Sequence, residues 1–286
     1  MQQRGSDTST GSIIKILTLA VITSTAFSAG AAAMAGEQAG EAVSPEQAKA
    51  ILMRMADFIA KTRSFSVDVK SGYDVYEETG QKIEFSETRT IILSRPGSLR
   101  VDRQESNGDK SALLFDGKVI TMSNPGHNVY AQTPKQGSID DAIAYFVRDL
   151  GMKLPFSTLL QTTAPQELDR RTKTLDYVEK TSIFGAPAHH LAGSGEDIDY
   201  QVWVADGDRP LPQRLVLTYR NEKGQPQFRA QFFNWNLAPE APASLFAFVP
   251  TPGMHQIAFL AQLPRGSMKR SVKPAKQEKP KKSGGQ

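Results

Sequence analysis

The sequence predicts a mainly β protein of the α+β class, in which a helix precedes two antiparallel meanders and a helical insert separates them. Three observations carry that prediction. Apolar residues alternate with polar ones through much of the chain. The alternation is clearest between Asp199 and Leu237, where Leu215, Leu217 and Tyr219 face one way and Arg214, Val216, Thr218 and Arg220 the other. Tight turns at Asn107-Gly108 and Asp116-Gly117 suit antiparallel neighbours. Between the β halves, residues 138–171 change to helical spacing.

Taken in order, the chain opens with Arg4, an apolar run Ile13–Phe27 broken by Lys15, and the small-residue segment Ser28–Gly36. This is the pattern of a secretory signal peptide, with small residues spaced for cleavage at Ala31 and Ala33 or at Ala33 and Ala35. The run falls short of the roughly 20 residues a spanning helix needs, so a cleaved signal over residues 1–35 and a periplasmic destination are expected. Ser44-Pro45-Glu46-Gln47 then combines an N-cap, a proline at the first helical position and a capping-box glutamine. The helix should run to about Lys61, with Ile51, Leu52, Met55, Phe58 and Ile59 as its apolar stripe.

From Phe65 the period becomes two, with Phe65, Val67, Val69, Tyr73 and Val75 on one parity or its continuation. Strands are expected at Ile83–Ser94, Ser98–Asp102, Ala112–Phe115, Lys118–Met122 and Asn128–Gln132. In the insert, Ser138 caps Ile139–Leu150, whose stripe is Ile143, Phe146, Val147 and Leu150. Short helical pieces should follow at Ser157–Leu160 and Pro165–Arg171. Such an insert reads as a cover laid over one sheet face. Strands resume at Asp176–Phe184, at His189–Ala192, through Asp199–Leu237 and at Ser244–Val249. Phe228, Ala230 and Phe232 share one parity while Phe233, Trp235 and Leu237 share the other, which implies a bulge or a strand covered on both faces.

The formal charge of +4 is unevenly placed. From Arg265 onward there are eight basic residues against one acid, so the preceding body is mildly acidic and the basic balance belongs to a Lys/Pro tail. Too few apolar residues lie there to order it, and residues 264–286 are expected to be disordered. Residues 36–263 are expected to form a single folded domain, with 39% hydrophobic content over the whole chain sufficient for a core. No cysteine is present, which removes disulfides, thiolate metal sites, a cysteine nucleophile and a lipid-bearing cysteine.

Several marks together identify a resemblance: Arg95-Pro96 with Leu99-Arg100-Val101, Phe115-Asp116-Gly117-Lys118, Leu154-Pro155-Phe156, Gln201-Val202-Trp203-Val204, Pro210-Leu211-Pro212, Pro226-Gln227-Phe228, Trp235 and Phe246-Ala247-Phe248-Val249-Pro250. In that order they resemble the bacterial family of predicted periplasmic proteins known as domain of unknown function 2092, from the capped helix to about Phe259. The resemblance implies a fold similar to the lipoprotein carriers of the LolA and LolB type. That fold is a strongly curved antiparallel sheet forming an incomplete barrel, with an N-terminal helix and a helical insert as lid. It implies no activity and transfers no functional residue.

The chemistry-bearing residues are sparse. His189-His190 lies near Glu196, Asp197 and Asp199, but adjacent strand residues point to opposite faces and do not readily share one ion. Gly193-Ser194-Gly195 lacks the G-x-S-x-G frame of a hydrolase elbow. No zinc-protease, P-loop or dinucleotide signature occurs, so neither cofactor nor metal is expected. The tail lysines are not interleaved with aromatic residues, which argues against nucleic acid and leaves a weak, salt-sensitive contact with anionic envelope surfaces.

The expectation is therefore a periplasmic, non-enzymatic binding protein that holds a hydrophobic ligand, such as a lipid, an acyl chain or a lipoprotein anchor, between curved sheet and lid. The expected lining is Val67, Val69, Phe85, Ile91, Leu99, Leu215, Leu217, Tyr219 and Phe228, with Phe146 and Phe156 on the lid. Trp203, Trp235, Phe232 and Phe233 are divided between core and cavity. Two other readings stay open at this level: an envelope scaffold with a filled core, and an enzyme with an unrecognised cleft site. Nothing in the sequence specifies an oligomeric state.

Overall fold

A computed structural model of the protein describes residues 43–262, apart from 153, 183 and 184. The expected signal peptide and basic tail lie outside the described residues. The first element is helix α1 (Pro45–Lys61), and its start is set by the capping box. Ser44 Oγ accepts from the Gln47 N–H at 3.3 Å while the Ser44 N–H donates to Gln47 Oε1 at 2.7 Å. Such a cap is worth about 1 kcal/mol.

The first meander is β1 (Ser64–Tyr76), β2 (Lys82–Ser94), β3 (Ser98–Glu105), β4 (Lys110–Phe115), β5 (Val119–Asn124) and β6 (Val129–Pro134). The insert follows as α2 (Ile139–Arg148), a 3-10 turn at Ser157–Leu160 and α3 (Ala164–Arg171). The second meander is β7 (Thr174–Thr181), β8 (Ala188–Ser194), β9 (Ile198–Ala205), β10 (Pro212–Tyr219) and β11 (Gln227–Asn236), and β12 (His255–Ile257) ends the described strands.

All twelve strands form one sheet in the order β12-β6-β5-β4-β3-β2-β1-β11-β10-β9-β8-β7. Each meander is local. The seam between them is β1 against β11, where Tyr73 pairs with Phe228 and Val69 with Phe232. The sheet is curved and does not close into a barrel, because β7 and β12 remain its two edges. This is the mainly β, lidded half-barrel that was expected. The parity break in β11 is a bulge: Ser66 pairs with Asn236 but Asp68 with Phe233, so β11 carries one extra residue there. Asn234 takes it up with φ 54°, a left-handed conformation that asparagine tolerates. The bulge returns Trp235 to the side of Phe65 and Phe232, at ring distances of 5.3 Å and 6.1 Å.

Register assigns the faces. Phe65, Val67 and Val69 pair with Leu93, Ile91 and Arg89, which continue through Leu99, Val101 and Arg103 of β3. Beyond the seam the same face carries Phe228, Ala230, Leu215, Leu217, Val202 and Leu191. These apolar residues are buried beneath the helices. Lys70, Asp74, Arg214 and Arg229 occupy the opposite, convex face, as do Trp203 and Phe233. Trp203 stacks on His190 at 4.0 Å with Arg214 over its ring, and Lys70 lies over Phe233, so neither aromatic reaches the sheet interior.

One expected strand is absent. Within Ser244–Val249 the chain makes a 3-10 turn at Ala243–Leu245 and then an irregular strap. Pro239, Pro242, Pro250 and Pro252 flank the segment and cannot donate to a ladder, and they outweigh its apolar Leu245, Phe246 and Phe248. Arg100 on the convex face holds the strap by donating to Leu245 O at 3.1 Å, and Phe248 packs on Tyr130 at 5.0 Å. The added strand comes later, where His255–Ile257 pairs in parallel with Val129–Ala131.

Candidate functional site

The concave face is filled unevenly. Around Leu99, Leu113, Phe115 and Ile120, helix α2 inserts Ala142, Ile143 and Phe146, and the remaining void is about 10 Å³. That is no more than one water requires. Over β9 and β10 the cover is α1, α3 and the Ser157–Leu160 turn, and these leave a cleft of about 420 Å³.

The cleft is built from five elements. Leu52 and Met55 project from the stripe of α1, and Leu168 comes from α3. Phe156 and Leu159 descend from the turn between α2 and α3. The floor is Tyr200 and Val202 of β9 with Leu215 and Leu217 of β10, and Ile198 lies toward the mouth. All five floor residues share one face by strand register, since Val202 pairs with Leu215, Tyr200 with Leu217 and Ile198 with Tyr219.

Tyr200 brings a polar group onto this floor. Its hydroxyl bonds Thr172 Oγ1 at 2.8 Å, and burial pushes the phenol pKa up, opposed by that hydrogen bond. Room for the ring comes from Gly193 on β8, where a Cβ would lie 2.3 Å from the Tyr200 ring. Glycine is therefore required for close approach at that position.

The cover is fastened from several sides. Lys49 of α1 pairs with Asp169 of α3 at 2.6 Å. Arg95 donates to Thr62 O at 3.2 Å and to Leu160 O at 3.0 Å, tying the end of α1 to the 3-10 turn. The Asp140 carboxylate accepts from the Thr162 N–H at 3.1 Å and also from its hydroxyl. The mouth is charged. Arg170, Arg171 and Lys173 line it from the end of α3, and Glu196 and Asp197 from the β8–β9 turn. Glu167 lies between Arg170 and Arg171 at 2.7 Å and 2.8 Å, and hydrogen bonding to Arg170 leads the effects that hold its carboxyl below the usual range. Arg220 fixes the acidic turn by donating to Gly195 O at 2.8 Å and Glu196 O at 2.6 Å.

Of the residues expected from sequence, Phe156, Leu215 and Leu217 line the cleft. Val67, Val69, Ile91 and Phe228 are buried in the core of the same face. Leu99 and Phe146 belong to the filled half. Tyr219 is half-buried at the end of β10. Phe85 keeps the concave parity but is 40% exposed and stacks on Tyr73 at 5.9 Å.

A polar block explains where Phe85 falls. Successive inward positions of β2 are Ile91, Arg89, Glu87 and Phe85. Buried Glu87 is ion-paired with Arg89 and Arg103 and accepts from Ser71 Oγ at 3.1 Å. The Arg89 guanidinium covers the Phe156 and Phe228 rings at 5.5 Å and 5.9 Å. The apolar interior ends at this quartet, and Phe85 lies beyond it.

Leu52, Met55, Leu159, Leu168, Ile198, Tyr200 and Val202 were not singled out as lining residues from sequence. The α1 stripe and the alternation of β9 carried the signal for Leu52, Met55, Tyr200 and Val202. The charged mouth had no local signal, because its two segments are separated along the chain by β7 and β8.

The histidines lie on opposite faces. His189 bonds Tyr177 Oη at 3.2 Å and Asp206 at 3.1 Å, while His190 stacks on Trp203 and bonds Gln201 at 3.1 Å. Among the described residues no group of three or more His, Cys, Asp or Glu side chains is placed to hold a metal ion. No described helix is long and apolar enough to cross a membrane.

No curated protein matches the chain. Among solved structures it is similar to MucB, at 22% identity over 72% of this chain and 64% of that one with a TM-score of 0.40, so it spans less than two thirds of that protein. It is also similar to lipoprotein LppX of Mycobacterium tuberculosis, at 15% identity over 68% of this chain and 97% of that one, TM-score 0.41. A LolA superfamily protein from Nitrosomonas europaea matches at 10% identity over 70% and 97% of the two chains, TM-score 0.35. Residues 48–260 match the family described as "Predicted periplasmic protein (DUF2092)", and the chain belongs to that family of periplasmic proteins.

Proposed function

We propose that this is a periplasmic, non-enzymatic binding protein that holds or carries the apolar part of a lipid or acyl-chain ligand in the cleft over β9 and β10. One observation carries the reading: a cleft of about 420 Å³ with an apolar floor under a helical cover. That size falls within the range of small-molecule sites, roughly 300–1,000 Å³. The carboxylates among the lining residues, Glu196 and Asp197, belong to the β8–β9 turn at the mouth, and no histidine lines the cleft. This favours holding over catalysis.

Burying about ten methylenes contributes roughly 8 kcal/mol before the cost of association, which is several kcal/mol, so an affinity no tighter than micromolar is expected. Native mass spectrometry of protein taken from its own periplasm, paired with uptake of a fluorescent fatty acid, tests the proposal. A bound lipid mass and saturable uptake are expected. Lipid-free protein that takes up no probe would sink the reading and leave an envelope scaffold in its place.

A further inference from the structure

We infer that the cleft mouth selects a zwitterionic headgroup bearing a phosphate and a primary ammonium, the phosphoethanolamine class, with its acyl chain seated below. The inference rests on the lipid-binding reading and adds a headgroup to it. It is carried by the way two charged segments meet. The Lys173 N–H donates to Ser194 O at 2.7 Å, and a Cβ on Gly195 would lie 2.9 Å from Arg171 O, so the end of α3 and the β8–β9 turn are in backbone contact. Basic side chains leave one segment and acidic side chains the other, at the edge of one apolar cleft.

Several of these charges already have roles. Arg170 and Arg171 share Glu167, and Asp197 accepts from Asn221 Nδ2 at 2.6 Å. Lys173 and Glu196 are exposed and, among the described residues, have no ion-pair partner. They are the two charges available to a ligand: Lys173, backed by the arginines, for phosphate, and Glu196 for ammonium.

Other headgroups fit less well. A wholly anionic one meets Glu196 and Asp197 as well as the bases. A quaternary ammonium donates no hydrogen bond to Glu196 and is normally held by aromatic faces. The aromatic residues of this lining, Phe156 and Tyr200, are committed inside, Phe156 under Arg89 and Tyr200 to Thr172.

The test is competition on the full chain at low salt, with the apolar dye N-phenylnaphthylamine as reporter and four single-chain competitors of equal chain length. These are lysophosphatidylethanolamine, lysophosphatidylcholine, lysophosphatidylglycerol and the free fatty acid. The ethanolamine lipid is expected to displace dye about fivefold better than the others, a preference that shrinks as salt rises. In Glu196→Lys the ranking should invert toward lysophosphatidylglycerol, and in Lys173→Glu the ethanolamine preference should vanish, each normalised to that variant's own dye affinity. Equal displacement by all four lipids, or rankings unchanged in both variants, overturns the headgroup assignment while leaving lipid binding intact. Failure of the wild-type protein to take up dye overturns both.

Discussion

The two halves of one concave face make the instructive comparison. Over β3–β5 the apolar side chains meet α2, which buries Ile139, Ala142, Ile143 and Phe146 along one stripe and leaves about 10 Å³ empty. Over β9 and β10 the strands alternate in the same way, yet α3 buries only Ala164 and presents a short Pro-Gln-Glu-Leu-Asp-Arg-Arg run. Leu168 is the large apolar side chain it offers, and about 420 Å³ remains open. The sheet pattern is thus common to both halves, and the helix above decides whether the space is filled. A packed interior follows where α2 lays a full apolar stripe on the sheet, and a cleft follows where α3, beside α1 and the Ser157–Leu160 turn, adds one leucine.

The largest test of that difference is Phe146→Ala. Phe146 is 4% exposed in the filled half, so its loss should cost about 3–5 kcal/mol in urea unfolding while dye uptake by the folded protein stays unchanged. A loss of uptake without a loss of stability would reverse the assignment of the halves. Next in size is Ala142→Leu. With so little free volume beside it, the larger side chain should cost about 1–3 kcal/mol. A neutral result would mean that this half is also loosely filled.

Much of this was legible in the chain, and the exceptions have physical causes. The capping box of α1, the strands of both meanders and the β11 bulge followed from Ser44-Pro45 and from the parity change between Phe232 and Phe233. Leu215 and Leu217 of the cleft floor followed from alternation as well. Alternation reports the face of a strand but not how far along it the cover reaches, which is why Phe85 shares a face with Ile91 and still lies outside the Glu87 block. Leu99 and Leu217 have the same parity logic and opposite surroundings, because their helical partners differ. The strap at Ser244–Val249 is as apolar as a buried strand, but its flanking prolines withhold the donors a ladder needs. The three-residue β12 is too short to show any period.

The halves are joined at the β1–β11 seam, and Asp74 is a buried polar tie there. Its carboxylate accepts from Arg229 Nη1 at 2.8 Å and from the Gln227 N–H at 2.9 Å. Burial alone would raise its pKa, but these hydrogen bonds and the nearby Arg229 and Lys82 charges outweigh that and hold it below the usual aspartate value. A lowered folded-state pKa means that Asp74 contributes stability fully present above about pH 4 and lost as pH falls through the depressed value. Asp74→Asn should therefore cost about 1–2 kcal/mol at pH 7, and the difference from wild type should narrow on acidification. Urea unfolding at pH 7 and pH 3 checks it, and an equal penalty at both would show that the charge does not hold the seam.

The smallest stability effect belongs to the change that most directly fills the cleft. Leu168 is half-buried and points into open volume, so Leu168→Trp adds a large ring without pressing it into packed neighbours. Unfolding free energy should move by less than about 1 kcal/mol, against the 1–3 kcal/mol expected for the far smaller Ala142→Leu enlargement. Dye and fatty-acid affinity should fall at least tenfold, because the indole takes the space that a chain would occupy. Retained affinity would place the ligand elsewhere. A stability loss as large as that of Ala142→Leu would show that the cleft closes in solution and that the two halves are packed alike.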